Sequence, residues 1–152
     1  MYISAQTDYG VRALIALAAA ASDKPLKGEQ LARSENIPAK FLENILGELR
    51  RAGMVSSQRG ADGGYRLARQ PSDISVADVI RALEGPLAEV RGLRPEALVY
   101  EGVAVHLQDV WVAVRASLRA VLERVTLAHL VSGTLPASVR KLAQDPDAWL
   151  PH

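Results

Sequence analysis

Residues 38–68 read PAKFLENILGELRRAGMVSSQRGADGGYRLA, and the reading of this stretch decides the fold. Phe41, Leu42, Ile45, Leu46 and Leu49 recur at three- and four-residue intervals. That is the period of a helix with one apolar face. Pro38 stands at the first turn, where its missing N–H costs nothing, and Gly53 closes the helix. Two extended runs follow, at 54–58 and 64–68. The glycine-rich connector 59–63 reads as the tip of a hairpin, because glycine tolerates the positive φ that tight tips need.

Upstream, residues 10–21 place Val11, Leu14, Ile15, Leu17 and Ala18 on one face of an alanine-rich helix, which Asp23, Lys24 and Pro25 end. Residues 28–35 predict a short helix with Leu31 and Ala32 inward, followed by a turn at 34–38 with Ile37 as its apolar plug. Helix, short helix, turn, helix and hairpin is the order of a winged helix-turn-helix. The expected fold class is therefore mainly α with a small β-hairpin wing.

Downstream, Ser75-Val76-Ala77-Asp78 reads as a capping box opening a helix through Val79, Ile80 and Leu83, which Gly85-Pro86 stops. Residues 87–102 have no clean period and read as a loop. The longest helix is expected from Val103 onward. Leu107, Val110, Trp111, Val114, Leu118, Val121, Leu122 and Val125 form its apolar seam. The seam is wide for one small core, so it is expected to pack against a second copy. Thr126 caps a brief last helix that Gly133 ends. The tail 134–152, with Pro136, Pro146 and Pro151, is expected to be loose. The organisation read from this is a DNA-binding domain at 1–86, a loop at 87–103, a dimerisation helix with a short last helix at 104–133, and the tail.

Composition narrows the function classes. The chain has 152 residues, 49% hydrophobic and 23% charged, the balance of a folded soluble domain. It has no cysteine. Disulfides, cysteine-ligated zinc, thiol nucleophiles and thiolate-bound iron–sulfur clusters are thereby excluded. The apolar run at 13–21 is too short to span a bilayer, and no signal peptide is read. A cytoplasmic protein with no membrane partner is expected. Residues 1–69 carry ten Lys/Arg against seven Asp/Glu, and residues 70–152 carry eight against ten. Arg50, Arg51, Arg59, Arg66 and Arg69 face only Asp62 within 49–69. Such a stripe suits a polyanion, or is a solvated basic face.

In a winged helix-turn-helix the second helix of the pair enters the major groove. Here that helix is 38–51, and its exposed positions are read as Ala39, Lys40, Glu43 and Asn44, with Gly47 and Glu48 further along. Asn can read adenine and Glu can accept from cytosine. The wing, 59–64, offers Arg59 to the negative potential of a narrow minor groove.

Asp8-Tyr9-Gly10-Val11-Arg12-Ala13-Leu14, Phe41-Leu42-Glu43-Asn44-Ile45-Leu46, Leu49-Arg50-Arg51-Ala52-Gly53-Met54-Val55, Arg59-Gly60-Ala61-Asp62-Gly63-Gly64-Tyr65-Arg66-Leu67 and Leu83-Glu84-Gly85-Pro86 carry a resemblance. The chain resembles the Rrf2 family of bacterial transcription regulators over roughly 1–131. The resemblance implies a dimer with a winged helix-turn-helix at each end and a dimerisation helix near 104–125. It implies that Lys40, Phe41, Glu43 and Asn44 lie at the DNA, that Arg59 and the backbone of Gly60, Gly63 and Gly64 lie at the minor groove, and that Tyr9 contacts a phosphate. Arg50 and Arg51 complete the expected DNA-binding set. The best-known branch of the family binds an iron–sulfur cluster through three cysteines in the loop before the long helix. That loop, 89–104, has no cysteine here, so the chain resembles the branch without the cluster and no cofactor is expected. A second branch, that of regulators of cysteine metabolism, senses metabolic state through a partner enzyme.

Several features carry a plainer reading beside the functional one. Phe41, the single phenylalanine, is expected in the core, although its edge could touch phosphate. His106, Asp109 and His129 at unrelated positions are expected to be surface or interface residues rather than a sensor site. Trp111 is a packing residue, and Trp149 docks on the body or a partner or stays exposed. Arg115, Arg119 and Arg124 could pair with acids across a dimer. Leu93, Leu98, Val99 and Tyr100 either line a small-molecule pocket or close the core, and the second is preferred. The leading function is a dimeric, sequence-specific DNA-binding regulator, expected to be a repressor on an inverted repeat, answering an unidentified small-molecule or protein effector. The alternative is a winged-helix protein-interaction module regulated by a partner enzyme. An enzyme ranks last, since no nucleophile–base pair, phosphate loop or metal motif stands out.

Overall fold

The computed structural model describes residues 2–20 and 24–151. Helix α1, Ala5–Ala20, begins earlier than the apolar period predicts. The reason is polar. The Ser4 hydroxyl accepts from the Thr7 N–H at 3.0 Å, and the Glu84 carboxylate accepts from the Ser4 and Thr7 hydroxyls. This cap lies outside the apolar pattern that periodicity reads. The expected stop at Asp23, and the Ala21 boundary, lie outside the described residues.

Helix α2, Gly28–Glu35, ends on Asn36 in the left-handed conformation (φ 52°), and the Asn36 and Ile37 N–H groups satisfy carbonyls of its last turn. Ile37 is buried, as its role as a plug requires. Helix α3, Ala39–Arg51, has Pro38 as its N-cap and Gly53 in positive φ just past its end. Its buried residues are Leu42, Ile45, Leu46 and Leu49. Helix α1 packs on α2 and α3, so these apolar faces share one core with Leu14, Leu17 and Leu31.

Strands β1, Val55–Gln58, and β2, Gly64–Leu67, pair antiparallel from Val55↔Leu67 to Gln58↔Gly64. The wing is also fastened to the segment before α2. Leu26 and Tyr65 exchange both backbone hydrogen bonds, at 2.9 and 2.7 Å.

Helix α4, Val76–Leu83, carries the predicted capping box on Ser75 and Asp78. Helix α5, Leu107–Leu122, starts four residues later than expected, after a single 3-10 turn at Gly102–Ala104. Helix α6, Leu127–Ser132, opens on a second capping box, formed by Thr126 and His129, and ends on Gly133 at φ 72°. The two boxes stand back to back. The Val76 N–H donates to the Val125 carbonyl at 2.9 Å, and the Leu127 N–H donates to the Ile74 carbonyl at 3.0 Å. Residues 134–151 are not simply loose. They form helix α7, Ala137–Ala143, and a 3-10 turn at Pro146–Trp149, with the Trp149 indole donating to the Ala143 carbonyl at 2.6 Å. Proline at a first turn starts such elements as readily as it breaks longer ones. Among the described residues no helix is long and apolar enough to cross a membrane.

The candidate nucleic-acid interface

Burying Leu42, Ile45, Leu46 and Leu49 turns the other side of α3 outward. Ala39, Lys40, Phe41, Glu43, Asn44, Arg50 and Arg51 are all exposed. Gly47 and Glu48 are half-buried instead, and the Glu48 carboxylate accepts from the Gln6 side chain at 2.9 Å, tying α3 to α1. The outward face is thus its N-terminal half plus the two arginines at its end. Lys40 and Glu43 form an ion pair at 3.0 Å with side chains 83% and 62% exposed. Such a pair contributes about 0–1 kcal/mol. A phosphate can therefore take Lys40 and leave Glu43 for a base at little cost.

Phe41 is not a core residue. It is 36% exposed, and its ring meets Tyr9 edge to face at a centroid distance of 5.6 Å. Periodicity assigned it inward because it adjoins Leu42, but the inward stripe is already filled by Leu42 and Ile45. The guanidinium of Arg12 lies 5.6 Å from the Tyr9 centroid and also bonds the Glu35 carbonyl at the end of α2. Asp8 pairs with Arg12 at 3.4 Å. Arg12 thus fixes Tyr9 beside the start of α3, a role the sequence reading missed. The Asp8–Arg12 spacing, one helical turn, was its available signal.

Arg50 donates to the Ser57 hydroxyl at 3.0 Å, so the end of α3 is joined to the wing. Arg59 and Gly60 are exposed at the wing's tip, with Gly60 at φ 103°. Gly63 is buried and Gly64 is half-buried. A Cβ on Gly63 would run into the Gln58 carbonyl, and one on Gly64, at φ 148°, into the Leu26 carbonyl. These two glycines close the hairpin and admit the strap from Leu26, which accounts for them without nucleic acid.

The seam on α5 divides. Leu107, Val110 and Val114 are exposed, and Trp111, Leu118, Val121 and Leu122 are half-buried. The Trp111 indole donates to the Tyr100 hydroxyl at 3.1 Å. Val125 does not belong to the seam. It lies beyond the end of α5, joins the back-to-back caps and is only 6% exposed. Along its whole length α5 has no buried residue.

In the preceding loop Leu98 is buried, whereas Leu93 and Val99 are exposed. The four residues read as a pocket lining therefore do not line one together. His106 and Asp109, at 3.9 Å, are both on the surface, and His129 serves the Thr126 cap. No three His, Asp or Glu among the described residues are grouped to hold a metal ion.

A family model described as Rrf2, iron-dependent transcriptional regulator, matches residues 3–133. A Mycobacterium tuberculosis chain named as an HTH-type transcriptional regulator is 48% identical over 145 residues, 95% of this chain and 90% of its own length. The HTH-type transcriptional regulator CymR of Bacillus subtilis is 35% identical over 134 residues, 88% of this chain and 92% of its own. The solved structure of B. subtilis CymR, titled the global cysteine regulator, aligns at a TM-score of 0.74 over 88% of this chain and 98% of that one. A T. potens IscR structure aligns at 0.71 with 31% identity, over 100% and 93%. The iron in the family description finds no thiolate here, because the chain has no cysteine. The residues of the loop do not fit a cluster of that kind.

Proposed function

The chain belongs to the Rrf2 family and is a DNA-binding transcription regulator, not an enzyme, and from that premise we propose that it acts in the cytoplasm as a homodimeric repressor on an inverted-repeat operator. The outward face of α3 carries this reading. It sets Lys40, Glu43 and Asn44 together in its N-terminal half, with Arg50, Arg51 and the wing's Arg59 alongside. The major groove admits one helix. In it, Asn44 pairs with adenine, Glu43 accepts from the cytosine amine, and Lys40 turns to phosphate. Tyr9, held by Arg12 and Phe41, gives its hydroxyl to the backbone. Arg59 enters the minor groove, and the exposed backbone of Gly60 lets the tip approach. Gly63 and Gly64 act by holding that tip.

Dimerisation supplies the second half-site. Leu107, Val110 and Val114 present an exposed apolar stripe on α5, beside the half-buried Trp111 and Leu118. A second copy related by a two-fold axis buries the same stripe on itself.

The test is a footprint of the full chain on DNA upstream of its own gene at two salt concentrations. The expected result is a protected inverted repeat that survives physiological salt. Binding that is unlocalised and vanishes with salt at every fragment tried would overturn the specific reading.

A further inference from the structure

An open cleft of about 420 Å³ lies where the end of α4 and the 94–96 segment meet α5. Its volume falls in the range of small-molecule sites. Arg81, Arg94, Arg115 and Arg119 line it, with Glu96 and the apolar Leu87. None of these arginines belongs to α3 or the wing.

The protein's own carboxylates occupy part of this charge. Glu96 accepts from Arg115. Glu123, just beyond the end of α5, accepts from both Arg81 and Arg119, the latter at 2.9 Å. Among the described residues the Arg94 side chain makes no ion pair or hydrogen bond, and its charge helps hold the Glu96 carboxyl low. Asp78 also pairs with Arg81 at 3.7 Å, so four guanidiniums against three carboxylates leave one positive charge around the cleft, and two once Glu96 swings away. Exposed ion pairs of this kind are weak. Guanidiniums bind carboxylate and phosphate in two-pronged fashion. Glu96, in the lining, thus stands where one anionic end of a ligand would stand, and Glu123, just outside it, shows that Arg81 and Arg119 can share a carboxylate.

We propose that this cleft binds a small organic dianion, two carboxylate or phosphate groups' worth of charge on a short carbon skeleton. One anionic end displaces Glu96 from Arg115 and engages Arg94. The other reaches Arg81 and Arg119. The carbon skeleton lies over Leu87. Because Arg81 is on α4 and Arg115 and Arg119 are on α5, the bound dianion links the DNA-binding unit to the dimerisation helix. Its effect on operator binding rests on the function proposed above. Its binding does not.

The experiment is calorimetric titration of the full chain at constant ionic strength. The probes are succinate, a dicarboxylate, and glycerol 3-phosphate, a phosphate monoester, with acetate as the single-charge control. Saturable binding of at least one dianion, one per protomer and tighter than acetate, is expected, and the tighter probe identifies the preferred anionic group. Arg94→Gln, which breaks no ion pair, should weaken it about tenfold, the loss of one charge-assisted hydrogen bond. Arg59→Gln on the wing should leave it unchanged. No dianion binding tighter than acetate would overturn the proposal, as would loss in Arg59→Gln with retention in Arg94→Gln. The wild-type chain is then footprinted with the tighter probe. Intact probe binding without any operator binding refutes the DNA reading and leaves the cleft standing. Operator binding without probe binding refutes the cleft alone.

Discussion

Placing charge on the outward stripe of α5 should split the proposed dimer while leaving the protomer folded. Val110 is 50% exposed and Val114 is 40% exposed. Covering a fully exposed valine is worth about 2 kcal/mol. Covering the exposed fractions of these two is then worth about 2 kcal/mol per protomer, and about 4 kcal/mol across a two-fold interface to which both copies contribute. At about 1.4 kcal/mol per tenfold, Val110→Glu with Val114→Glu should raise the dimer dissociation constant roughly a thousandfold. Burying unpaired carboxylates adds to that loss. Sedimentation velocity over a protein dilution series reads the constant directly. Val112 is the control. It is 36% exposed on the same helix, but two residues along a helix turns about 200°, so it lies nearly opposite. Val112→Glu should leave the dimer intact, and helical circular dichroism should be unchanged in both variants. A double variant as dimeric as the wild type, or equal disruption by Val112→Glu, refutes the assignment of this face.

Gly64→Ala should destabilise the fold by about 1–3 kcal/mol, since it combines a positive φ with a clash against the Leu26 carbonyl. A denaturation midpoint unchanged from wild type would show that the strap from Leu26 gives way freely. Arg59→Ala should cost about 1–3 kcal/mol of operator affinity. Measured binding equal to wild type would remove the wing from the interface. Arg51→Gln should weaken all DNA alike and lower the salt slope by about one per protomer, so a changed base preference would contradict a phosphate role. Arg81 and Arg119 hold the Glu123 carboxyl below the usual carboxylate range. A depressed folded value contributes stability at neutral pH that is lost as pH falls through the ordinary carboxylate range toward the folded value. Glu123→Gln should therefore flatten the fall in stability between about pH 6 and about pH 3. An acid limb as steep as that of wild type would show that this pair contributes nothing to it, which salt screening of exposed charges could bring about.

The fold was readable wherever an element carried both a period and a cap. Residues 28–35, the box on Ser75 and the stop at Gly133 stand where their sequence signals put them. The misreadings share a cause, which is that periodicity registers apolar residues and not what lies across from them. The start of α1 depends on Glu84, distant in sequence. Val125 continues the spacing of the seam yet leaves the helix to join a backbone bridge. Phe41 is apolar and faces outward because its partner is Tyr9 rather than the core. In the candidate interface, Lys40, Glu43, Asn44 and Arg59 were legible as exposed positions. The buried Gly63 was not, since a glycine that closes a turn and one that approaches a phosphate look alike in sequence.

The paired caps before α4 and α6 have a mechanical consequence. The last turn of α5 runs into a junction where two helix starts hold each other by backbone hydrogen bonds, and neither can fray without undoing the other. That end of α5 is a fulcrum. The other end rests on the 87–106 segment, which has two 3-10 turns and a single Val90–Leu93 bridge. Sixteen residues of helix at about 1.5 Å each make an arm of about 24 Å. A tilt of about 5° moves its far end by about 2 Å while the fulcrum stays still. The loop grips that arm, through Gln108 on the Pro95 and Glu96 carbonyls, Trp111 on Tyr100 and Arg115 on Glu96, so a shift of the loop is a lever on α5 about the 74–76 and 125–127 seam.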